Sequence, residues 1–137
     1  MLTSPRKSKY KKLQKGTLPN KFLSSPNVLT YGSFGFKAIS FGILTSKQIE
    51  AAQKVITKKI KKKGKLWIRI FPHLSKTKKP VEVRMGKGKG SVDIWISKIH
   101  PGTILYEIEG ISLKLAQEIF NESTQKLSIK CKLICYQ

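Results

Sequence analysis

An α+β domain is what this chain predicts: a two-layer sandwich, with two helices packed on a mixed or antiparallel sheet and a basic extended arm in front. Three observations lead there. Two stretches carry apolar residues at helical spacing, several others alternate with period two, and the two kinds follow no regular strand–helix–strand order. A length of 137 residues suits one domain, in which about 65% of the unfolded surface can be buried. Residues 1–30 are read as the arm and residues 31–137 as the single domain.

The arm is basic, contains Pro5, Pro19 and Pro26, and shows little periodicity, so it is expected to be ordered only by a partner. Residues 31–41 suggest a short strand kinked by glycine, with Phe34, Phe36 and Ile39 beside Gly32 and Gly35. Residues 45–63 carry the strongest helix signal. Thr45 and Gln48 form a capping box, Ile49, Ala52, Ile56 and Ile60 form one stripe, and Gly64 is placed as the stop. Residues 65–71 alternate as a strand, with Leu66, Ile68 and Ile70 opposite Trp67, Arg69 and Phe71. A basic connector follows, then an expected strand over 81–85 that breaks into the loop Gly86-Lys87-Gly88-Lys89-Gly90.

Beyond that loop, Val92, Ile94 and Ile96 define one face of another strand, with Trp95 on its other face. His100-Pro101-Gly102 reads as a turn. Residues 103–109 alternate again, with Ile104, Tyr106 and Ile108 on one face and Glu107 and Glu109 at positions ordinary for a half-exposed strand. Ser112 is expected to cap a second helix to about Lys126, burying Leu115, Ile119 and Phe120. The last strand, 128–136, is expected to turn Ile129, Cys131, Leu133 and Cys135 inward and Lys130 and Lys132 outward.

Charge restricts the function. The chain has 28 Lys+Arg against 7 Asp+Glu, a net charge of +21. No acid precedes Glu50, and residues 101–137 carry four charges of each sign, so the excess lies wholly in the first hundred residues. Such a charge repels itself unless a polyanion screens it. Nucleic acid is the leading partner, because each neutralised phosphate releases counterions. An anionic membrane surface is the alternative, although no apolar run reaches the roughly 18 residues that span a bilayer. Lysine outnumbers arginine 25 to 3, which favours phosphate and shape recognition over bidentate base reading.

No catalytic set emerges. The carboxylates are scattered, and His73 and His100 stand in a loop and before a proline. The two cysteines would lie about 13 Å apart on a strand, beyond the roughly 7 Å a disulfide allows, and the Cys and His spacings match no zinc pattern. No cofactor motif is present, since the glycine loop lacks the spacing of a nucleotide-binding loop and leads into a strand. A nucleotide-dependent enzyme remains a competing class only through that loop. The loop itself reads either as a hairpin turn or as a backbone pressed close to phosphate, with Lys87 and Lys89 supplying charge. Lys58, Lys61 and Lys62, with Lys59 and Lys63, form either a solvated helix face or a ridge facing RNA. Trp67, Trp95, Phe34 and Phe36 either fill the core or stack on bases.

The stretches Gly32-Ser33-Phe34-Gly35-Phe36-Lys37-Ala38, Gln48-Ile49-Glu50-Ala51-Ala52, Trp67-Ile68-Arg69-Ile70-Phe71-Pro72, Arg84-Met85-Gly86-Lys87-Gly88-Lys89-Gly90 and Pro101-Gly102 with Leu105-Tyr106-Glu107 occur in one order. In that order they resemble the family of ribosomal protein sixteen of the bacterial-type large subunit. The resemblance implies a structural protein, not an enzyme, that binds large-subunit rRNA beneath the central protuberance and joins late in assembly. It implies that Arg84, Met85, Gly86, Lys87, Gly88, Lys89 and Gly90 reach toward tRNA in the aminoacyl site and the peptidyl-transferase region. It also implies phosphate contacts from Arg6, Lys7, Lys9, Lys11 and Lys12 and from the helix lysines, neighbouring large-subunit proteins as partners, and no membrane insertion. Residues 17–28, 73–78 and 91–94 depart from the family pattern. The Lys-rich, Arg-poor composition and a start without an added presequence suit a gene carried by an organelle. The expected location is the mitochondrial ribosome, with a plastid or bacterial cytoplasm as alternatives.

Overall fold

The structure, a computed structural model, describes residues 4–14, 16 and 28–136. Pro19 and Pro26 of the expected arm lie outside the described residues. Among those described, the elements run β1 (Phe34–Ala38), β2 (Gly42–Thr45), α1 (Ser46–Ile60), β3 (Lys65–Ile68), β4 (Leu74–Lys78), β5 (Ser91–Ile99), β6 (Ile104–Glu109), α2 (Leu113–Thr124) and β7 (Cys131–Cys135). The α+β sandwich is therefore what forms, with its strands divided between two sheets. One is four-stranded in the order β3-β6-β1-β7, the other three-stranded in the order β2-β5-β4. Every ladder is antiparallel. The chain passes between the sheets at four places: residues 39–41, helix α1 with residues 61–64, residues 69–73, and the turn at His100-Pro101-Gly102. At that turn the Gly102 N–H donates to Ala38 and the Ala38 N–H to Thr103.

The core lies between the helices and one face of the four-stranded sheet. Phe36, Tyr106 and Ile108 from that sheet meet Ile49, Ala52, Ile56 and Ile60 of α1 and Ile119 of α2. Phe36 packs edge-on against Tyr106 and Phe120. The Tyr106 hydroxyl donates to the Ile49 carbonyl at 2.9 Å, which satisfies the one polar atom of that ring in the core. The capping box of α1 is present, and its apolar stripe is the buried one.

Several expectations are corrected. Residues 81–85 form no strand: a strand needs a ladder partner, and β5 takes its partner from β4, inside the segment read as a connector. Val81 and Met85 are 97% and 93% exposed. The 31–41 segment is β1 followed by a bend that leaves Ile39 exposed, and the chain enters β2 at Gly42, where a Cβ would collide with the Ile129 side chain. β6 is buried on both faces, Glu107 included, because the chain before β1 covers its second side. Cys135 is exposed at the end of β7, whereas Cys131 packs against the core and burial pushes its thiol up to about 11. Ser112 holds the N-cap position of α2 without a side-chain cap bond.

Helix α1 stops at Lys61, three residues before the expected glycine. Lys61 has φ 53° and ψ −128°, a conformation that disfavours a side chain carrying Cβ. Gly64 has another role: a Cβ there would collide with the Glu109 carbonyl, so it permits β3 to start against the end of β6. Lys61→Gly is expected to stabilise the domain by about 1 kcal/mol, read as a higher denaturation midpoint with an unchanged m-value.

Candidate nucleic-acid interface

β4 and β5 form a hairpin joined by residues 79–90. Gly86, Lys87 and Gly88 take φ of 99°, 52° and 86° in succession. A Cβ on Gly86 or Gly88 would meet nothing within 4 Å, so glycine is needed there for torsion and not for space. Gly90 is the reverse case. Its φ is ordinary, but a Cβ would sit 2.5 Å from the Lys78 carbonyl, so it lets the loop close against the end of β4. Lys79 ties the loop across by donating its ammonium to the Gly86 carbonyl at 2.5 Å. Residues 81–89, including Arg84, Lys87 and Lys89, are all exposed.

The arm meets this loop. Lys12 donates to the Lys89 carbonyl at 2.8 Å, and Lys89 donates to the Leu13 carbonyl at 2.5 Å. Ser75, buried on β4, donates its hydroxyl to the Lys11 carbonyl at 2.7 Å. The arm thus lies along the three-stranded sheet, over a pocket of about 200 Å³ with Leu13, Leu74 and Ile96 among its apolar lining and Lys76, Lys89 and Lys98 among its polar lining. The acceptors are backbone carbonyls, so no charge is cancelled. An ammonium has three donors, and one bond to a carbonyl leaves others for phosphate. Arg6, Lys7 and Lys9 are exposed further out, with Lys9 over the Tyr10 ring.

Of the residues singled out from sequence, Lys11, Lys12 and Lys89 are brought together. Lys58, Lys61 and Lys62 are exposed on and just beyond α1, a helix whose main contacts are with α2, β2, β3 and β5, and they form a separate group. Lys59 is partly neutralised by Glu122 of α2, and Lys54 pairs with Glu50. Sequence reasoning missed Ser75, Lys76 and Lys79. The signal was the alternation of lysine with Ser and Thr through residues 75–79, which marks a polar edge strand.

It also missed the point where the chain enters the domain. Trp67 of β3, Glu107 of β6 and Gly35 of β1 lie in one row across the four-stranded sheet, on the face turned away from the helices. Leu29 sits over Gly35, so closely that a Cβ there would collide with its side chain. The N–H groups of Thr30, Tyr31 and Gly32 converge on one oxygen of Glu107 at 3.1, 2.7 and 3.0 Å. Arg69 donates to the other oxygen. Burial alone would raise this carboxyl. The N–H donors of Tyr31, Gly32 and Thr30 and the charge of Arg69 outweigh it and hold the group below its ordinary 4.5.

A model of the ribosomal protein L16p/L10e family matches residues 5–134, from the described arm into β7. The chain belongs to that family. As a member of the L16p/L10e family it is a structural constituent of the large ribosomal subunit, and its partners are ribosomal RNA and other ribosomal proteins. The match takes in arm, loop and Glu107 alike. Among the described residues no helix is long and apolar enough to cross a membrane.

Glu107 gives this L16p/L10e member a pH-dependent stability. Because its native pKa lies below the unfolded one, its contribution is complete above the ordinary carboxylate pKa and is lost as pH falls through the lowered value. Urea midpoints of the wild type should fall over that window, and those of Glu107→Gln should fall less, from a lower starting stability. Glu107→Ala, which strands Arg69 and three N–H groups, should cost about 3–5 kcal/mol. Gly90→Ala should lower the melting temperature through its clash with Lys78. Gly86→Ala and Gly88→Ala should each cost only about 1 kcal/mol, confined to the tip and visible in its amide exchange.

Proposed function

We propose that this chain binds large-subunit rRNA through its arm and through residues 84–90, and that the tip of that loop faces tRNA in the aminoacyl site beside the peptidyl-transferase region. The observation that carries the reading is the loop itself: three successive positive-φ residues and two lysines on an exposed tip, cross-bonded to a basic arm. Bare N–H groups there can approach a phosphate closely, and the ammonium groups neutralise it. Arg6, Lys7, Lys9, Lys11 and Lys12 contact phosphates along the arm, and Lys58, Lys61 and Lys62 contact them from the helix. The protein supports tRNA positioning and late subunit assembly, and peptide transfer belongs to the RNA. The proposed compartment is the mitochondrion, on the strength of a composition with 25 lysines to 3 arginines. Fractionation that recovers the chain with plastid or bacterial ribosomes instead would overturn that assignment.

The pair Lys87→Ala with Lys89→Ala tests the loop. Its side chains are exposed, so the melting temperature is expected to hold within a few degrees. Affinity for naked large-subunit rRNA should fall, and the slope of log K against log salt should drop by about 0.7–0.9 for each phosphate that the variant no longer neutralises. In cells the variant should accumulate immature large subunits or handle aminoacyl-tRNA poorly on sucrose gradients and in translation assays. Normal assembly and translation would remove the loop from the proposal.

A further inference from the structure

Arm, loop and helix lysines all address phosphate, and a separate cluster on the four-stranded sheet has a different chemistry. Trp67 and Arg69 are alternate residues of one extended segment, since the Arg69 N–H continues the ladder onto the Leu105 carbonyl at 3.0 Å. Both therefore lie on the face turned away from the helices. Tyr31 lies across them. Its ring is 6.0 Å from that of Trp67 and within 19° of parallel, and the Arg69 guanidinium is 5.2 Å from its centroid. Each partner is fixed: Arg69 by Glu107, and Tyr31 by its own N–H and those of Thr30 and Gly32 on the same carboxylate. The two supports rise from the sheet on one side, yet Tyr31 is 56% exposed.

An aromatic ring held this firmly is unusual for an exposed tyrosine, which ordinarily keeps its rotamer freedom. Here the ordering cost of binding has been met by folding. A flat, rigid ring beside a guanidinium, on a strongly cationic RNA-binding protein, suits the π-face of a nucleobase better than an aliphatic or anionic partner. We propose that Tyr31, backed by Trp67 and Arg69, is a stacking site for an unpaired base of ribosomal RNA. The site is distinct from the loop and adds a contact that is insensitive to salt. It rests on the reading of the chain as an RNA-binding protein.

The test compares the full chain with Tyr31→Phe and Tyr31→Leu in binding to naked large-subunit rRNA across a salt series. Tyr31→Phe keeps the ring and should bind as the wild type does. Tyr31→Leu keeps apolar cover but loses the ring. It should bind at least about fivefold more weakly at every salt concentration, with the slope of log K against log salt unchanged. Base-specific chemical probing should then show increased reactivity at one or two unpaired nucleotides only. Thermal melts of each variant give the folded fraction, to which the affinities are referred. Equal binding by wild type and Tyr31→Leu would overturn the stacking site and leave RNA binding standing. A reduced slope, or equal loss in Tyr31→Phe, would also overturn it. Failure of the wild type to bind at all would overturn both readings.

Discussion

A buried carboxylate in a chain of +21 charge is the constraint on which much of this structure hangs. Glu107 is 0% exposed. An ion in that position is tolerated only when its lone pairs are filled, and here three N–H groups and a guanidinium fill them. The three N–H groups belong to one segment, so satisfying the charge also fixes the course of residues 30–32. That segment, with Leu29 over Gly35, closes the face of the sheet that the helices leave uncovered. The arrangement is an anion nest turned inward, with the protein supplying its own anion.

The treatment of positive charge complements this. Acids are placed where the fold needs them: Glu107 under the entering segment, Glu122 against Lys59, Glu50 against Lys54. Around the loop the lysines are held by carbonyls instead. A carbonyl positions an ammonium without discharging it, so the loop is ordered while its field toward an incoming phosphate persists. Carboxylates in the same places would give a comparable local structure and a neutralised surface.

What could be read from the sequence was what depends on neighbours in sequence. α1 was legible because its capping box and apolar stripe span one to four turns, and the loop was legible because its glycines stand together. β4 was hidden because its residues are mostly polar and, among the described residues, its one partner strand is β5. The segment 81–85 alternates well, yet alternation specifies a strand only where a ladder is available. Glu107 was unreadable because its amide partners lie 75 to 77 residues away, and no local pattern distinguishes it from Glu109, which is exposed one pleat further along the same strand.

The pairing of strands bears on how this protein comes into being. Each ladder joins one of β1 to β4 with one of β5 to β7: β1 with β6 and β7, β2 with β5, β3 with β6, β4 with β5. Among the described residues, no strand of the first half pairs with another of that half. During synthesis the early chain, which holds nearly all the excess lysine, therefore emerges with no sheet available to it. The three-stranded sheet waits for β5, and the four-stranded sheet for β6 and β7. Non-local pairing of this kind is slow and leaves strand edges open in the interval. A nascent polycation with open edges lives among polyanions, and its charge keeps copies of itself apart until the last strands arrive.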